Sequence, residues 1–399
     1  MEIQKIFGGS MKKFLSLLLV LVLALALVAC GGGSSNEGGG EPTPAPSGDN
    51  GGEAEKPLSV CLVVAALGDN SFSDSADNGL KEAARDYGIK YDCQQVGDDG
   101  IVNGIREAAQ NGYDIVVAGY DSDRRALLEE ESMDYPNTIF FLYDNGDTEW
   151  VPNDNVLAVI FKANESDFVC GAIAAKQSTS KVTGWVGGQE YTSLYDFLVG
   201  WVEGVKYADE TASTAYSWVA GSSPWSDPAK AKELTKALYN NYKADIMHGV
   251  AGQSGDGVIE AVVELREAGD DTVWDIGVDS DQYAVFMANE KEDKAEVILT
   301  SSMKKVGKPV YDLVGTILDG KTPVLGNQTY GIAEGASGCA DNDYFRSVAN
   351  ADALAIADKI TSDVLSGALV VDSAYGMSLE ELATLFQATT LNYAAINLG

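Results

Sequence analysis

The sequence predicts an α/β protein with two doubly wound parallel-sheet lobes and an interdomain cleft. Short apolar runs alternate with amphipathic helical patterns, which is typical of βαβ units. The alternation begins at 58–64, a run apolar enough for a strand that is buried on both faces, and it restarts after Phe161. With about five βα units in each half, we expect two similar sheets whose carboxyl-terminal strand ends face one another.

The start of the chain carries the pattern of a secretion signal, expected to span residues 1–29. Lys12 and Lys13 precede an apolar run, 14–29, that only Ser16 interrupts, as in a positive n-region followed by an h-region. The run is shorter than the roughly 20 apolar residues of a membrane span, so a transmembrane anchor is the less favoured alternative. It ends in Leu-Val-Ala ahead of Cys30, which resembles the bacterial lipobox. We expect cleavage before Cys30 and lipidation of its thiol.

Residues 30–57 are predicted to be the lipidated cysteine and a flexible tether, because Gly, Ser, Pro and Glu dominate them. Cleavage would leave 24 basic and 59 acidic side chains. So acidic a surface disfavours nucleic acid and anionic membrane surfaces as partners, which leaves the lipid as the membrane contact. We therefore expect an extracytoplasmic, lipid-anchored protein, on the outer face of the cytoplasmic membrane or in a periplasm.

Cysteine and histidine usage gives little support to a metal site, and no cofactor is expected. Cys61, Cys93, Cys170 and Cys339 form no CxxC pair, and His248 is the sole histidine. A disulfide between the first two cysteines is an alternative, but neighbouring parallel strands rarely offer its geometry, so we favour four free thiols. His248 lies in an apolar run and is assigned to the core or the cleft wall in preference to catalysis.

Polar and aromatic residues follow the predicted strands, where the two sheets would meet. Functional loops on a rigid scaffold are expected to occupy this position. The candidate ligand-binding residues are Asp69, Ser71, Phe72, Ser73, Asp74, Tyr120, Asp121, Trp225, Gly252, Gly255, Asp279 and Lys304.

Several of these loops resemble, in order, the basic membrane protein family of bacterial lipoproteins, the PnrA-like nucleoside-binding components of ABC transporters. The resemblance implies the type I periplasmic-binding-protein fold, in which three crossovers join the lobes. It also implies capture of a nucleoside or similar small metabolite by lobe closure, with an ABC permease and ATPase as partners; we expect a monomer. The matching segments are 69–74, 161–171, 186–188, 251–257, 277–282 and 299–304. With three crossovers, lobe 1 is expected to comprise 58–163 plus 301–324, and lobe 2 to comprise 164–300 plus 325–399.

The resemblance implies roles for single residues. Phe72 matches an aromatic that stacks on one face of a purine-like base, and Trp225 falls where a second aromatic approaches from the opposite lobe. Asp279 matches an aspartate that accepts ribose hydroxyls, with Lys304 beside it. Gly252 and Gly255 match glycines that let the backbone come close to the sugar.

The chain departs from the family pattern where the base edge is read. It has Ser73 in place of a frequent asparagine, and Ala65 or Ala66 in place of an early aspartate. Ser73, Asp74 or Asp121 could substitute, so the identity of the base stays open.

Two other functions remain as alternatives. A lipid-anchored hydrolase needs a nucleophile with a base, but no GxSxG occurs and nothing singles out a catalytic carboxylate pair. A receptor or adhesive lipoprotein could use the same fold without transport. Turnover of candidate nucleosides by the purified protein would distinguish a hydrolase from a binding protein. Genes for a permease and an ATPase beside the gene for this chain would favour transport over a receptor or adhesive role.

Overall fold

A computed structural model describes residues 56–394 and residue 396. These residues form two six-stranded sheets flanked by helices. The strands are β1 (Ser59–Val64), β2 (Lys90–Gln95), β3 (Ile115–Gly119), β4 (Ile139–Tyr143), β5 (Val156–Phe161), β6 (Val182–Gly187), β7 (Ser213–Trp218), β8 (Ile246–Val250), β9 (Trp274–Asp279), β10 (Ile298–Lys304), β11 (Gly326–Tyr330) and β12 (Ser337–Cys339).

The α-helices alternate with these strands, as the sequence predicts. They are α1 (Phe72–Tyr87), α2 (Ile101–Gln110), α3 (Ser122–Glu131), α4 (Ala163–Gln177), α5 (Thr192–Ala208), α6 (Pro228–Tyr242), α7 (Gly255–Glu267), α8 (Gln282–Ala288), α9 (Glu292–Ala295), α10 (Gly307–Leu318), α11 (Asp343–Val348), α12 (Ala351–Leu365) and α13 (Leu379–Thr389).

Each sheet has a point where the strand order reverses. The first sheet runs β11-β5-β4-β3-β1-β2, and the second runs β12-β10-β9-β8-β6-β7. All neighbouring strands pair in parallel except β10 and β12. In the first sheet the order reverses between β1 and β3, and in the second between β6 and β8. Loops at such a point diverge and leave room for a ligand.

Local sequence explains where several helices begin and end. Gly88 adopts a left-handed conformation after α1, and its N–H donates to the carbonyl of Ala84. Asp227 caps α6 by accepting from the backbone N–H of Lys230, with Pro228 as the first helical residue. These stops and caps were readable as sequence patterns.

The chain crosses between the lobes three times, and two of these crossovers lie later in the sequence than expected. The first, from β5 into α4, falls at Lys162, next to the expected boundary between 163 and 164. Residues 301–304 belong to the second sheet, because β10 stays paired with β9 up to Met303 opposite Asp279. Residues 326–330 belong to the first sheet, because β11 pairs with β5. Lobe 1 therefore takes 305–330 as its second segment, in place of 301–324. β11 is polar and half-exposed. Because it lacks an apolar run, the sequence does not predict an edge strand there.

The two N-terminal cysteines lie on opposite faces of the first sheet. Leu62, not Cys61, is the register partner of Cys93. Since side chains alternate along a strand, Cys61 packs into the core on one face and Cys93 packs against the core on the other. All four cysteines in the described part of the chain are free, which agrees with the favoured prediction.

Helices α4 and α5 of lobe 2 cross at backbone contact. A Cβ on Gly200 would lie 2.1 Å from the carbonyl oxygen of Asn164, and one on Gly204 would lie 2.1 Å from that of Phe168. A Cβ on Gly171 of α4 would meet the backbone of Trp201. The crossing fixes the amino-terminal ends of both helices beside the interdomain cleft.

The sole histidine lies in the core of lobe 2. His248 Nδ1 donates to the Ile276 carbonyl at 2.7 Å, and Nε2 lies 3.2 Å from Asp167 Oδ1. Because the carbonyl can only accept, the carboxylate favours a second proton on Nε2. Burial lowers the pKa of His248, but Asp167, the Ile276 carbonyl and Asp275 together outweigh burial, and the net pKa is raised. Ser302 Oγ donates to the same Asp167 oxygen at 2.5 Å. The Ser302 hydroxyl thus hydrogen-bonds to the Asp167 carboxylate and not to the His248 imidazole. All three residues are inaccessible to solvent.

Asp275 adds a second buried carboxyl beside this histidine. It is 1% exposed, and Oδ1 has no hydrogen-bond partner. Burial raises its pKa to about 7, although His248 acts in the opposite direction. The folded chain therefore holds a proton that the unfolded chain releases near its ordinary, much lower pKa.

We predict that Gly200→Ala lowers the free energy of unfolding by about 3 kcal/mol, because the added methyl must push two helices apart. Chemical denaturation measures the change. Gly146→Ala is the control, since its Cβ would lie 3.8 Å from the Tyr120 ring, an ordinary contact. Equal stability of the two variants would contradict a backbone-contact crossing.

We predict that Asp275→Asn flattens the dependence of stability on pH. A folded pKa above the unfolded one makes stability full at low pH and lower as the pH rises towards 7. Between pH 5 and pH 8 the unmodified protein should lose about 2 kcal/mol more stability than the variant. Denaturation at both pH values checks this, with the exposed Asp123→Asn as control. Parallel curves for the protein and the Asp275 variant would refute the assignment.

Candidate ligand-binding cleft

The loop after β1 is held by two aspartates that bond its backbone. Asp69 accepts from the N–H groups of Ser71, Ser73 and Asp74 at 2.8–3.1 Å. Asp74 accepts in return from the N–H groups before it in the loop, at 2.8 Å. Asn70 between them has φ 52°, a left-handed conformation. The contacts of both aspartates are those of loop-stabilising residues, and they fix Ser71 and Phe72 at the start of α1.

Asp279, at the end of β9, accepts a hydrogen bond from the lobe 1 loop that follows β1. Ser71 Oγ donates to Asp279 Oδ2 at 2.5 Å across the cleft. Asp279 is 6% exposed and has φ 62°, so a non-glycine residue is held in a strained conformation. Its Oδ1 is buried and accepts no hydrogen bond. One carboxylate oxygen thus joins the lobes, and the other is left for a further donor.

Lys304 supplies the positive charge of the cleft. Its Nζ lies 3.2 Å from Asp144 Oδ1 of lobe 1 and 3.8 Å from Asp279 Oδ1 of lobe 2. The ammonium also lies over two aromatic rings, 4.7 Å from the centroid of Phe72 and 4.9 Å from that of Phe197. A lysine carried by β10 therefore contacts both lobes.

Neighbouring carboxylates favour the charged form of Lys304, whereas burial disfavours the ionised form of Asp279. Burial opposes the charge on Lys304, but Asp144 and then Asp279 outweigh it, so its pKa is raised. Burial also raises the pKa of Asp279, while Lys304 and the Ser71 hydroxyl act in the opposite direction. Donors that reach the free Oδ1 would stabilise the ionised carboxylate.

An aromatic wall lines lobe 2. The rings of Trp225 and Tyr191 meet edge to face, with centroids 6.0 Å apart. A Cβ on Gly188 would lie 2.2 Å from the Trp225 ring, so only glycine fits beneath it. Gly252 has φ 53° and lies beside the Trp225 backbone. Of the two glycines predicted to bring the backbone close to a ligand, Gly252 thus lies beside Trp225.

Phe72 and Trp225 lie on different lobes and have different neighbours. Phe72 packs under Lys304, which pairs with Asp144. Trp225 packs edge to face on Tyr191. Phe72 begins α1 after β1, and Trp225 lies in the loop between β7 and α6, so each lobe carries one of the two predicted aromatics.

Further hydrogen bonds close the lobes over this region. Ser280 Oγ donates to the Ser71 carbonyl at 3.5 Å, and Gln282 Nε2 donates to the Asn70 carbonyl at 3.4 Å. Both join the loop after β9 to the loop after β1. The structure is therefore a closed arrangement of the two lobes.

Three residues at the cleft were absent from the sequence prediction. Asp144 directly follows β4 and has φ 64°, so the rule that selected Asp279 could have found it. Tyr191 directly precedes α5 in the loop after β6, and Ser193 follows in the first turn. Ser193 is 4% exposed. Neither Tyr191 nor Ser193 stands out in the sequence from the other residues of that loop.

Other predicted residues have local contacts outside this set. Tyr120 packs against Trp150, with centroids 6.1 Å apart. Asp121 caps α3 by accepting from the backbone of Arg124, and it pairs with that guanidinium. Gly255 begins α7 and approaches the Gly249 carbonyl. Ser73 lies in the first turn of α1, where its N–H donates to Asp69.

Cys30 and the signal and tether preceding residue 56 lie outside the described residues. Within residues 56–394, no helix is both long and apolar enough to cross a membrane. In the same part of the chain, no three His, Cys, Asp or Glu side chains form a group suited to a metal ion.

Known proteins are similar to this chain in sequence and in fold. Residues 56–366, more than half of the chain, match the family model described as ABC transporter substrate-binding protein PnrA-like. The ABC transporter nucleoside-binding protein BmpA of Lactococcus lactis is 27% identical over 333 residues, 81% of this chain and 91% of that protein. Basic membrane protein A of Borreliella afzelii is 29% identical over 301 residues, 74% of this chain and 86% of that protein.

Solved structures confirm the predicted fold. An ABC transporter solute-binding protein from Aeropyrum pernix K1 superposes with a TM-score of 0.67 at 22% identity, covering 84% of this chain and 100% of that one. Another from Conexibacter woesei has a TM-score of 0.63 at 20% identity, covering 79% and 99%. With the family match over residues 56–366, these findings show that the chain belongs to the PnrA-like family of ABC transporter substrate-binding proteins.

Proposed function

We propose that this protein is lipid-anchored outside the cytoplasm and captures a nucleoside, or a similar small metabolite, between its lobes. It would then deliver the ligand to an ABC permease and ATPase for uptake. The chain's family supports the transport role, and its similarity to the nucleoside-binding protein BmpA of Lactococcus lactis supports the ligand class.

The observation that carries the ligand assignment is the unpartnered Oδ1 of buried Asp279, 3.8 Å from Lys304 Nζ. A buried acceptor without a donor costs about 1–3 kcal/mol, so a ligand that supplies donors gains that energy. A vicinal diol suits the site, because one hydroxyl can donate to Asp279 and the other can accept from the ammonium. Ribose presents such a diol.

Aromatic rings from both lobes suit a flat ligand. Phe72 lies on lobe 1, and Trp225 with Tyr191 lies on lobe 2. Stacking on a ring adds about 0.5–1.5 kcal/mol beyond the burial of area. A base joined to a sugar would use both the rings and the Asp279–Lys304 pair.

The charge of the cleft favours a neutral ligand over a phosphorylated one. Lys304 is paired with Asp144 and Asp279, so one cation faces two carboxyl groups. A phosphate would meet repulsion in a partly desolvated site. Nucleosides are therefore favoured over nucleotides.

The membrane anchor is part of the proposal because of the order of segments along the chain. A basic and apolar leader precedes Cys30, and a Gly-rich, Pro-containing stretch separates that cysteine from the first strand. A lipidated cysteine with several acyl chains would hold the protein at the membrane, at about 0.8 kcal/mol per buried methylene.

We predict that the purified protein binds a nucleoside with a Kd in the micromolar range or tighter. Isothermal titration would compare purine and pyrimidine nucleosides with their free bases, ribose, nucleoside 5′-monophosphates and amino acids. Free bases and monophosphates should bind more weakly, since the former lack the diol and the latter carry the repelled charge. Preference for amino acids, or no binding at all, would overturn the assignment. Recovery of unchanged nucleoside by chromatography separates binding from hydrolysis.

We predict that Trp225→Ala weakens nucleoside binding about tenfold or more, because a central aromatic anchor is lost. The melting temperature without ligand should change little, since Trp225 is 38% exposed. Tyr87→Ala is the matched control, because Tyr87 is also 38% exposed but lies on α1 against Tyr311. If both variants retain full affinity, Trp225 does not contact the ligand.

A further inference from the structure

A cavity of about 670 Å³ lies in lobe 2 and has its own set of lining residues. Its walls come from β12, α11 and α12, together with Ile332, which follows the third crossover. Among the described residues that line it, none belongs to the interdomain cleft described above. Small-molecule sites have volumes of about 300–1,000 Å³, so this cavity is large enough for an organic ligand.

Hydrogen bonds and packing hold the walls of this cavity in place. β12 pairs antiparallel with β10, so that Cys339 lies opposite Ser302. Asn342 caps α11 by accepting from the N–H of Phe345, and it donates through Nδ2 to Asp281, the residue that caps α8. α12 packs on α4. The cavity is therefore formed by the folded chain itself, as most small-molecule sites are.

The inner part of the cavity is apolar. Ile332, Phe345 and Ala357 line it, and all three are buried. Leu365 extends the apolar surface to the mouth, where its side chain is more than half exposed. Water against such side chains finds few hydrogen-bond partners, so an apolar group that displaces this water gains affinity. The cavity suits a ligand with an apolar body.

A buried hydroxyl also belongs to the lining. Ser337 is 8% exposed, and its Oγ has no hydrogen-bond partner among the described residues. Its backbone is fixed, since its N–H donates to the Gly331 carbonyl at 3.2 Å. Buried polar atoms without a partner are uncommon in folded proteins. A ligand that brings a donor to this serine would satisfy it.

The charged side chains at the mouth carry one negative charge in excess. Arg346 donates through Nη2 to both Asp341 and Asp358, at 2.7 Å in each case, so one guanidinium serves two carboxylates. In the described lining of the cavity, these three residues are the charged ones. Each is more than a third exposed, so solvent screens their charges and the effect on a ligand is modest. The excess carboxylate favours a cation and disfavours an anion.

We infer that this cavity is a second ligand-binding site, and that it takes a small organic cation with an apolar body. The apolar body displaces water from Ile332, Phe345 and Ala357, while the cationic group lies at the mouth beside Asp341 and Asp358. The site shares no lining residue with the nucleoside site in the described part of the chain. The inference therefore goes beyond the proposed function and does not rest on it.

The test uses three probes that share a cyclohexyl group and differ in charge: 2-cyclohexylethylammonium, 2-cyclohexylethanol and 3-cyclohexylpropionate. A saturated ring lacks the flat face of a nucleobase, which disfavours binding between the aromatic rings of the cleft. Titration of the full chain at neutral pH, followed by ligand-observed NMR, should give the ammonium a Kd of about 1 mM or tighter. The alcohol should bind about threefold more weakly, and the carboxylate more weakly still.

Variants at exposed positions locate the bound probe. Ser362→Trp should cover the mouth and weaken all three probes about fivefold or more, whereas Ala351→Trp, at the other end of α12, should not. Asp358→Asn should make the ammonium and the alcohol bind equally, because the excess charge is removed, whereas Asp352→Asn should leave the preference intact. Trp225→Ala should leave all three affinities unchanged, because Trp225 does not line the cavity.

Melting temperatures check that each variant is folded. Failure of all three probes to bind, or binding that Ser362→Trp leaves unchanged, overturns the second site. Preference for the carboxylate overturns the assigned ligand class. Loss of binding in Trp225→Ala places the probes in the cleft and also overturns the inference. The nucleoside titration decides the proposed function separately.

Discussion

The buried ammonium of Lys304 is the interaction on which the closed cleft depends. A desolvated cation must be paired, and its two carboxylate partners, Asp144 and Asp279, come from different lobes. The pairing is therefore complete only when the lobes are together, and Ser71 reinforces it by bonding Asp279 directly. Opening the cleft would return all of these groups to water. A ligand that adds donors to Asp279 shifts the balance further towards the closed form, as differential affinity requires.

The scaffold around this interaction is stiff where the loops are strained. Asn70, Asp144 and Asp279 all have positive φ, and such conformations persist only where the surroundings over-determine them. The reciprocal bonds of Asp69 and Asp74 do this for the first loop. On lobe 2, the backbone contact of α4 with α5 fixes the helix ends that carry Asn164, Tyr191 and Asp196. Rigid lobes leave the three crossovers as the places where closure can occur.

The candidate site was only partly predictable, and the residues show why. Phe72, Trp225, Asp279 and Lys304 each follow or end a strand whose apolar run is plain in the sequence, so their convergence was expected. Asp144 has the same position but was passed over among many aspartates. Tyr191 could not be singled out, because its contact with the ring of Trp225 is made only in the folded lobe. Conversely, Asp69 and Asp121 resemble ligand contacts in sequence, yet their oxygens are used by backbone N–H groups.

Local chemistry determined the elements: apolar runs made strands, caps and glycines ended helices, and the alternation of the two specified a parallel α/β protein in two halves. Tertiary structure alone decided which half each later strand joins. Residues 301–304 and 326–330 went to the lobes opposite to those expected, because sheet membership depends on which edge is available for pairing and not on the strand's own residues. It also decided which carboxylate oxygens accept no hydrogen bond. Whether an oxygen such as Asp279 Oδ1 finds a donor depends on groups brought together from distant parts of the chain, which no local pattern encodes.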